Sequence, residues 1–283
     1  MTQADNGASP AVDDAPEVGR SAFPPPAFVY ALGRIEPRFP SLAVEKELAQ
    51  VTGRAELAGL TDREVLETVL SERSNRYLAR QLCWVLTVAG LETYLLVPRD
   101  PVDLDQLVEA VRRRPDGTEL DVVIGIRGPL APPDACNGLV VPVVAFDQLY
   151  SFDRDTLLQA VPRPDEIPAE RDDQFRATAA EVLDLVLQST DNAGATDEHR
   201  AMNYLALRYP AIYARTTLEH SNNATLAGIE TRPSPLSGVR AIVEVIFCYR
   251  HRQTDVVTKY FVRVDVTEEF PFLVTKLSPY YDR

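Results

Sequence analysis

Cysteine and histidine are the residue types in this sequence best suited to bind a metal ion, and the chain has three of each. Cys248 and His251 lie three positions apart in the segment CYRH, near the end of a predicted strand. Cys136 lies in a predicted turn before a strand, and His199 lies near the start of a predicted helix. A tetrahedral zinc site needs four such ligands, or three and a water molecule. Because there is no second closely spaced pair, these four residues are candidate zinc ligands on residue type alone, and zinc is a candidate cofactor.

A thiol nucleophile is the second chemistry that these residues allow, provided that a histidine and an acid lie close to the sulfur. Cys136, in the turn PDACNG, is the cysteine we expect to be exposed. Cys83 and Cys248 lie within strand patterns that are typical of buried, unreactive thiols. The sequence contains no nucleophile elbow, dinucleotide fingerprint, phosphate-binding loop or H-E-x-x-H helix. We therefore assign no catalytic residue and expect the protein not to be an enzyme.

Two segments carry the aromatic and charged side chains that are typical of binding surfaces. One is the helix end NYLALRYPAIY, and the other is the first predicted strand, FVYALGRI, with the charged residues after it, where Pro37 and Pro40 are expected to stop regular pairing. An extended peptide can add to a sheet edge as a strand, with nearby charged side chains holding its charged groups. The structural alternative is that the tyrosines pack on their own sheet and the charges are solvated. The candidate peptide-binding residues are Arg34, Glu36, Arg38, Tyr204, Arg208, Tyr209 and Tyr213.

Composition and charge exclude several classes of partner. The net charge of -13 would repel the phosphate backbone of a nucleic acid, so no nucleic-acid partner is expected. No apolar run approaches the roughly 18 residues that a membrane-spanning helix needs, so no membrane partner is expected either. Three sparse cysteines and an acidic start without a secretion signal predict reduced thiols and a cytoplasmic location.

The elements that must position these residues alternate between strands and helices. Residues 1–26 are polar and proline-rich and are predicted to be a disordered tail. Residues 27–283 are predicted to form one domain, divisible at a proline cluster into sub-lobes 27–162 and 168–283. Strand patterns flank Ala89-Gly90-Leu91, which is a hairpin signature, and a longer hairpin is predicted from Val239 onward. The predicted fold class is α+β, with antiparallel and mixed sheets whose hairpins are flanked by helices.

Three long motifs make the sequence resemble a known family. They are FVYALGRIEPRFPSLAVEKELAQ, CNGLVVPVVAFDQLYSFDRDTLLQAV and DEHRAMNYLALRYPAIY, and they resemble the C-terminal domain of the cyanobactin proteins PatA and PatG. The resemblance runs in order from about Phe28 to the end of the chain. It implies an α+β, homodimeric domain without established catalysis, acting in the biosynthesis of ribosomally made and modified peptides. It also implies bound zinc, with Cys136 and His199 inside the matching motifs. We expect a free-standing domain, to which the protease machinery of the fused proteins does not transfer.

Three functional hypotheses follow from these observations. The first is a non-catalytic accessory protein that binds a precursor or leader peptide and presents it to, or protects it from, the modifying enzymes of the same gene cluster. The second is a zinc-dependent or thiol-dependent enzyme acting on that peptide. The third is a dimeric scaffold for the biosynthetic complex. We favour the first, because paired sheets offer edges to an extended peptide.

Overall fold

The computed structural model describes residues 27–53, 62–111, 119–163, 167–187 and 192–281. The predicted disordered tail, residues 1–26, lies outside the described residues. Within them the fold is α+β, as predicted, with two sheets and helices packed against both. None of the helices described is long and apolar enough to cross a membrane.

The first sheet is a closed five-stranded barrel in the order β1-β2-β3-β5-β4. Its pairs are antiparallel except for β3 and β5, which run parallel. The hairpin predicted at Ala89-Gly90-Leu91 joins β2 to β3, and both Ala89 and Gly90 have the positive φ that a tight hairpin turn of this hand requires. The strands are β1 (Ala27–Arg38), β2 (Cys83–Val88), β3 (Leu91–Pro98), β4 (Glu119–Leu130) and β5 (Pro142–Asp153).

Four helices share one core with the inner face of the barrel. Val29 and Ala31 of β1 point into this core, where they meet Phe146 of β5 and apolar helix residues such as Leu78 and Leu107. The helices are α1 (Leu42–Thr52), α2 (Asp62–Ser71), α3 (Arg76–Gln81) and α4 (Leu104–Ala110). The alternation of buried side chains along β1 therefore sets the inside of the barrel, as expected of a strand with two covered faces.

Strand β1 continues through Pro37, which corrects the prediction that Pro37 stops regular pairing. Pro37 pairs with Trp84 of β2, and the pairing reaches Arg38. Strand β4 pairs with β1 only as far as Gly33. The later half of β1 thus has one neighbouring strand, and a proline is tolerated where its missing N–H has no ladder bond to make.

The second sheet is open and carries three helices on one face. Its order is β10-β8-β7-β6, and β9 also pairs with β8. The strands are β6 (Ala224–Pro233), β7 (Ile242–His251), β8 (Val257–Asp265), β9 (Phe272–Leu273) and β10 (Ser278–Tyr280). The three helices are α6 (Asp172–Leu187), α7 (Asp197–Arg208) and α8 (Ala211–Ser221). A further helix, α5 (Arg154–Ala160), links the two sheets. The predicted long hairpin is β7–β8, with Val243, Val245, Phe247 and Tyr249 facing the helices.

The backbone of Tyr30 ties the barrel to the second half of the chain. At Tyr30 one edge of β1 pairs with β4, but the other edge has no strand beside it, since β2 pairs only from Arg34 onward. The Tyr30 N–H donates to Gly194 O at 2.9 Å, and Asn203 Nδ2 donates to Tyr30 O at 2.8 Å. Asn203 is itself held by Asn192, whose Nδ2 lies 2.8 Å from Asn203 Oδ1. Buried polar groups of the second half thus complete the hydrogen bonding of the first strand.

Cys83 and Cys136 form a disulfide, which corrects the prediction of three reduced thiols. The turn between β4 and β5 folds back over the start of β2, and this places the two Cα atoms 5.9 Å apart although the residues are 53 positions apart in the chain. Both sulfurs lie in a small apolar cluster with Val85 and Ala131. Cys248 stays a thiol, and it is buried. Because two of the three cysteines are bonded, reduced thiols no longer argue for a cytoplasmic location.

Candidate functional site

The four candidate zinc ligands are not brought together by the structure. Cys136 is bonded to Cys83, so its sulfur is not available to a metal ion. Cys248 Sγ donates to Glu230 Oε1 at 3.2 Å, and His251 Nδ1 lies 3.1 Å from Thr254 Oγ1 within a turn. His199 begins α7. In the ranges that the structure describes, no three histidine, cysteine, aspartate or glutamate side chains form a group able to hold a metal ion.

The aromatic helix end around α7 and α8 is partly structural, and the burial of Tyr213 corrects its assignment as a peptide-binding residue. Tyr213 is 2% exposed, and its hydroxyl donates to Ala206 O. The Tyr209 hydroxyl accepts from Leu277 N at 2.9 Å and so holds the segment that leads to β10. Tyr204 packs against both the helix core and the outer side of β1. Arg208 lies 5.3 Å from the centre of the Tyr150 ring.

The charged residues of β1 are exposed on the outside of the barrel. Arg34 and Glu36 line a cleft of about 410 Å³, whose apolar wall includes Val88 and Leu187. Arg38 forms an ion pair with Glu92 of β3. Beside Arg34 and Glu36, strand β1 pairs only with β2, and on its other side Ile35 N already donates to Asp121 Oδ2. Arg34 and Glu36 remain candidates for contact with a guest's side chains, and a longer open edge lies in the second sheet.

Among the described residues, the outer edge of β6 is a long strand edge that no other strand pairs with. On the opposite side of the sheet, β9 and β10 pair with most of β8, whereas β6 pairs only with β7. A β-bulge at Ala227 shifts the register between Leu226 and Gly228 and interrupts regular pairing there. We call the stretch after this bulge, from Gly228 to Pro233, the β6 edge.

One hydrogen bond just past the end of the strand pair shows which backbone groups of the β6 edge point outward. Ser234 N donates to Ile242 O at 2.8 Å, just past the end of the strand pair. In an antiparallel pair, hydrogen-bonded and non-hydrogen-bonded residues alternate. Counting back with the observed register, Arg232 bonds to β7, while Thr231 and Ile229 direct their N–H and C=O groups away from it. Pro233 falls on an outward position, where it removes no ladder bond.

The sheet face beside this edge holds a pocket of about 570 Å³. The buried carboxylate of Glu244 lies at its floor, between Arg232 of β6 and Arg263 of β8. We call this the arginine pocket. It is lined by Arg232, Pro235, Glu244, Phe261, Arg263, Pro279, Tyr280 and Tyr281.

Each oxygen of Glu244 binds one guanidinium. Arg232 Nε and Nη2 lie 2.9 and 2.8 Å from Oε2, and Arg263 Nε and Nη2 lie 2.8 and 2.7 Å from Oε1. Burial by itself would raise the pKa of Glu244, but the hydrogen bonds from the two guanidinium groups outweigh it and hold that pKa below its usual value. The carboxylate therefore stays ionised and fixes both arginine side chains in place.

Aromatic rings complete the walls of the arginine pocket. The guanidinium carbon of Arg232 lies 4.9 Å from the centre of the Tyr280 ring, and that of Arg263 lies 4.8 Å from the centre of the Phe261 ring. The two rings contact each other edge to face at 5.7 Å. Sequence reasoning missed this cluster. The one signal for it was Glu244, a charged residue in the otherwise apolar strand IVEVIFC.

A second titratable cluster joins the barrel to the segment after β8. Glu269 shares a hydrogen bond with Asp147 of β5, and Arg99 Nη1 lies 2.5 Å from Asp147 Oδ2 and 3.8 Å from Glu269 Oε2. Burial, the hydrogen bond to Asp147 and the charge of Asp147 raise the pKa of Glu269 to about 7, against the lowering effect of Arg99 and Arg200. Burial would also raise the pKa of Asp147, but its bonds to Glu269 and Arg99 lower it. The pair thus shares one proton at mildly acidic pH.

This shared proton predicts a stability change between pH 5 and 8. Since the pKa of Glu269 is raised on folding, the folded state binds more protons than the unfolded state between about 4.5 and 7. The stabilisation is complete below that range and is lost as the pH rises through it. Glu269→Gln keeps a hydrogen-bond donor beside Asp147 without the charge. We measure the Tm of this variant minus the Tm of the original protein, and we expect this difference to increase from pH 5 to pH 8. The exposed neighbour Glu268, changed to Gln, is the control and should show no such trend.

Comparison with known proteins agrees with the family that the sequence motifs resemble. No curated protein matches this chain. Residues 169–280 match the family model described as PatG C-terminal. This region, about two fifths of the chain, is similar to the PatG C-terminal family. A solved structure described as a PatG domain of unknown function is similar to the chain with a TM-score of 0.71 and 21% identity, covering 90% of this chain and 98% of that one. At that identity the likeness shows the α+β fold. The β6 edge and nearly all of the arginine pocket lie inside the residues that this family model matches.

Proposed function

We propose that this chain is a non-catalytic accessory protein that binds the precursor, or leader, peptide of a ribosomally made and modified natural product. It would present that peptide to, or protect it from, the modifying enzymes of the same gene cluster. The observation that carries the proposal is the β6 edge, an open strand edge beside a pocket of arginine and tyrosine side chains. The biosynthetic setting is supported by the PatG C-terminal match.

Strand addition accounts for both affinity and register at this surface. Thr231 and Ile229 offer outward N–H and C=O groups to a guest strand, and the bulge at Ala227 limits that strand to the part of β6 that follows it. Main-chain hydrogen bonds would supply sequence-independent affinity, and the adjacent side chains would supply selectivity. Arginine and tyrosine are the residue types that contribute most to binding at protein interfaces.

If a peptide adds to the β6 edge, the variant Thr231→Pro should bind that peptide more weakly. Proline removes the outward N–H of Thr231 and no hydrogen bond to β7, so the sheet should fold normally. We expect binding of the precursor peptide encoded beside the gene, measured by isothermal titration calorimetry, to weaken at least about tenfold. Thr231→Ala keeps the N–H and serves as the matched control, with affinity close to that of the original protein. The mass of the peptide should be unchanged after incubation.

Other results would contradict the proposal in distinguishable ways. Absence of measurable binding to the original protein would exclude this peptide as the guest. Equal affinity for Thr231→Pro and Thr231→Ala would move the binding site away from β6. If the original protein dimerises by light scattering and Thr231→Pro is monomeric, a second copy occupies the edge, and the dimeric scaffold replaces the peptide-binding protein as the better function.

A further inference from the structure

The geometry of the arginine pocket points to the chemistry of the guest beyond its backbone. We propose that the pocket binds a carboxylate, carried by the guest residue that lies opposite Arg232. This inference rests on the proposed function, because it assumes that a strand occupies the β6 edge. It adds the selectivity that main-chain hydrogen bonds cannot provide.

The pocket keeps hydrogen-bond donors for an incoming anion. A guanidinium has five N–H donors in one plane. Each of the two arginines uses an Nε–H and one Nη2–H on Glu244, which leaves three N–H groups on each. Of these, Arg232 directs one toward the Tyr280 hydroxyl. The Arg232 side chain is 45% exposed and that of Arg263 is 22% exposed, so a guest can approach both side chains.

The charge of the pocket selects an anion. Two guanidinium groups and one carboxylate leave one positive charge in the pocket. The nearby Lys259 is paired with Glu230 at 3.5 Å and adds no net charge. The chain as a whole carries a charge of -13, so this is a local reversal of sign rather than a share of a basic surface. Because Glu244 is buried and already paired on both oxygens, the arginines are held in position before a guest arrives.

Strand geometry places the guest's side chain within reach of Arg232. Arg232 bonds to β7, so an antiparallel guest residue opposite it occupies a non-hydrogen-bonded position. Side chains approach each other most closely at such positions, with Cα atoms about 4.5 Å apart. Both side chains then lie on the face that carries Glu244 and Arg263. An aspartate or glutamate at this guest position meets two oriented guanidinium groups.

The test uses synthetic seven-residue probes that alternate threonine and valine and carry aspartate or asparagine at the centre, with both ends capped. A third probe has asparagine at the centre and a free C-terminal carboxylate, which separates a side-chain carboxylate from a chain end as the source of the anion. Affinities are measured by fluorescence anisotropy at two salt concentrations. We expect the aspartate probe to bind about tenfold more tightly than the capped asparagine probe, with a difference that shrinks at high salt.

A matched pair of arginine variants shows whether the arginine pocket is responsible. Arg232→Gln should abolish the preference for aspartate. Arg240→Gln is the control, since Arg240 also pairs with a buried carboxylate, Asp265, and stacks on a ring, Phe272, but lies outside the pocket. It should keep the full preference.

The outcomes that overturn the carboxylate pocket are separate from those that overturn peptide binding. Equal affinity of the original protein for the aspartate and capped asparagine probes, including no measurable affinity for either, would overturn the pocket. So would an aspartate preference that survives Arg232→Gln. Tighter binding of only the free-carboxylate probe would exclude a side chain opposite Arg232. If the precursor peptide binds in any of these cases, the proposed function stands without this selectivity.

Discussion

Replacing both Cys83 and Cys136 by serine is expected to lower the free energy of unfolding by about 4 kcal/mol. The bond closes a loop between residues that are 53 positions apart, and constraint of the unfolded chain by a loop of this length contributes roughly this amount. Urea unfolding followed by circular dichroism measures the change directly. The original protein in reductant should approach the stability of the double variant.

Cys248→Ser is the matched control for the disulfide prediction. Cys248 is a buried thiol outside the disulfide, so the same change of side chain there removes no cross-link and should cost much less than the double substitution. Thiol titration of the unreduced, unfolded chain provides the decisive check. One reactive thiol is expected, and three would show that Cys83 and Cys136 are not bonded.

The second large effect is expected for Gly194→Ala, at about 3 kcal/mol or more of lost stability. Gly194 has φ +70°, and a Cβ there would lie 2.3 Å from Tyr30 O and 2.6 Å from the Cα of Ala31. These are backbone atoms of β1 and cannot rotate away. The alanine must therefore push the segment around Gly194 off β1 and break its hydrogen bond with Tyr30 N. Thermal unfolding measures the loss.

Gly90→Ala separates this clash from the cost of a positive φ alone. Gly90 has φ +81°, but nothing lies within 4 Å of the position that a Cβ would occupy there. Alanine at this turn should cost only about 1 kcal/mol, the usual penalty for a left-handed residue with a side chain. Similar losses for Gly194→Ala and Gly90→Ala would mean that the contact between Gly194 and β1 contributes little.

Local patterns predicted the elements of this fold where one segment contains the whole signal. The hairpin at Ala89-Gly90 is an example, because turn chemistry and both flanking strands are contiguous in sequence. The long hairpin predicted from Val239 onward is a second example, since the two strands that form it are contiguous in sequence. Tyr213 was misassigned because an amphipathic side chain is equally compatible with a surface and with a core that supplies a hydrogen-bond acceptor.

Features that depend on strand register could not be predicted from the sequence. Arg232, Glu244 and Arg263 are 12 and 19 positions apart, and they meet only because the bulge at Ala227 and the β7–β8 register align them. A shift of one residue would send Arg232 to the opposite face of the sheet. The disulfide has the same origin, since only the folded path of the β4–β5 turn brings Cys136 to Cys83.

The bonds at Tyr30 have a consequence for the order in which the chain acquires its structure during translation. All five barrel strands have left the ribosome once Asp153 has emerged. The backbone of Tyr30 still lacks its partners at that point, because Gly194 and Asn203 are made later. The nascent barrel must therefore wait, with one stretch of its first strand uncovered, for about fifty more residues at a synthesis rate of about 5–20 residues per second. For those seconds the uncovered stretch of β1 around Tyr30 is open to chaperones and to mispairing.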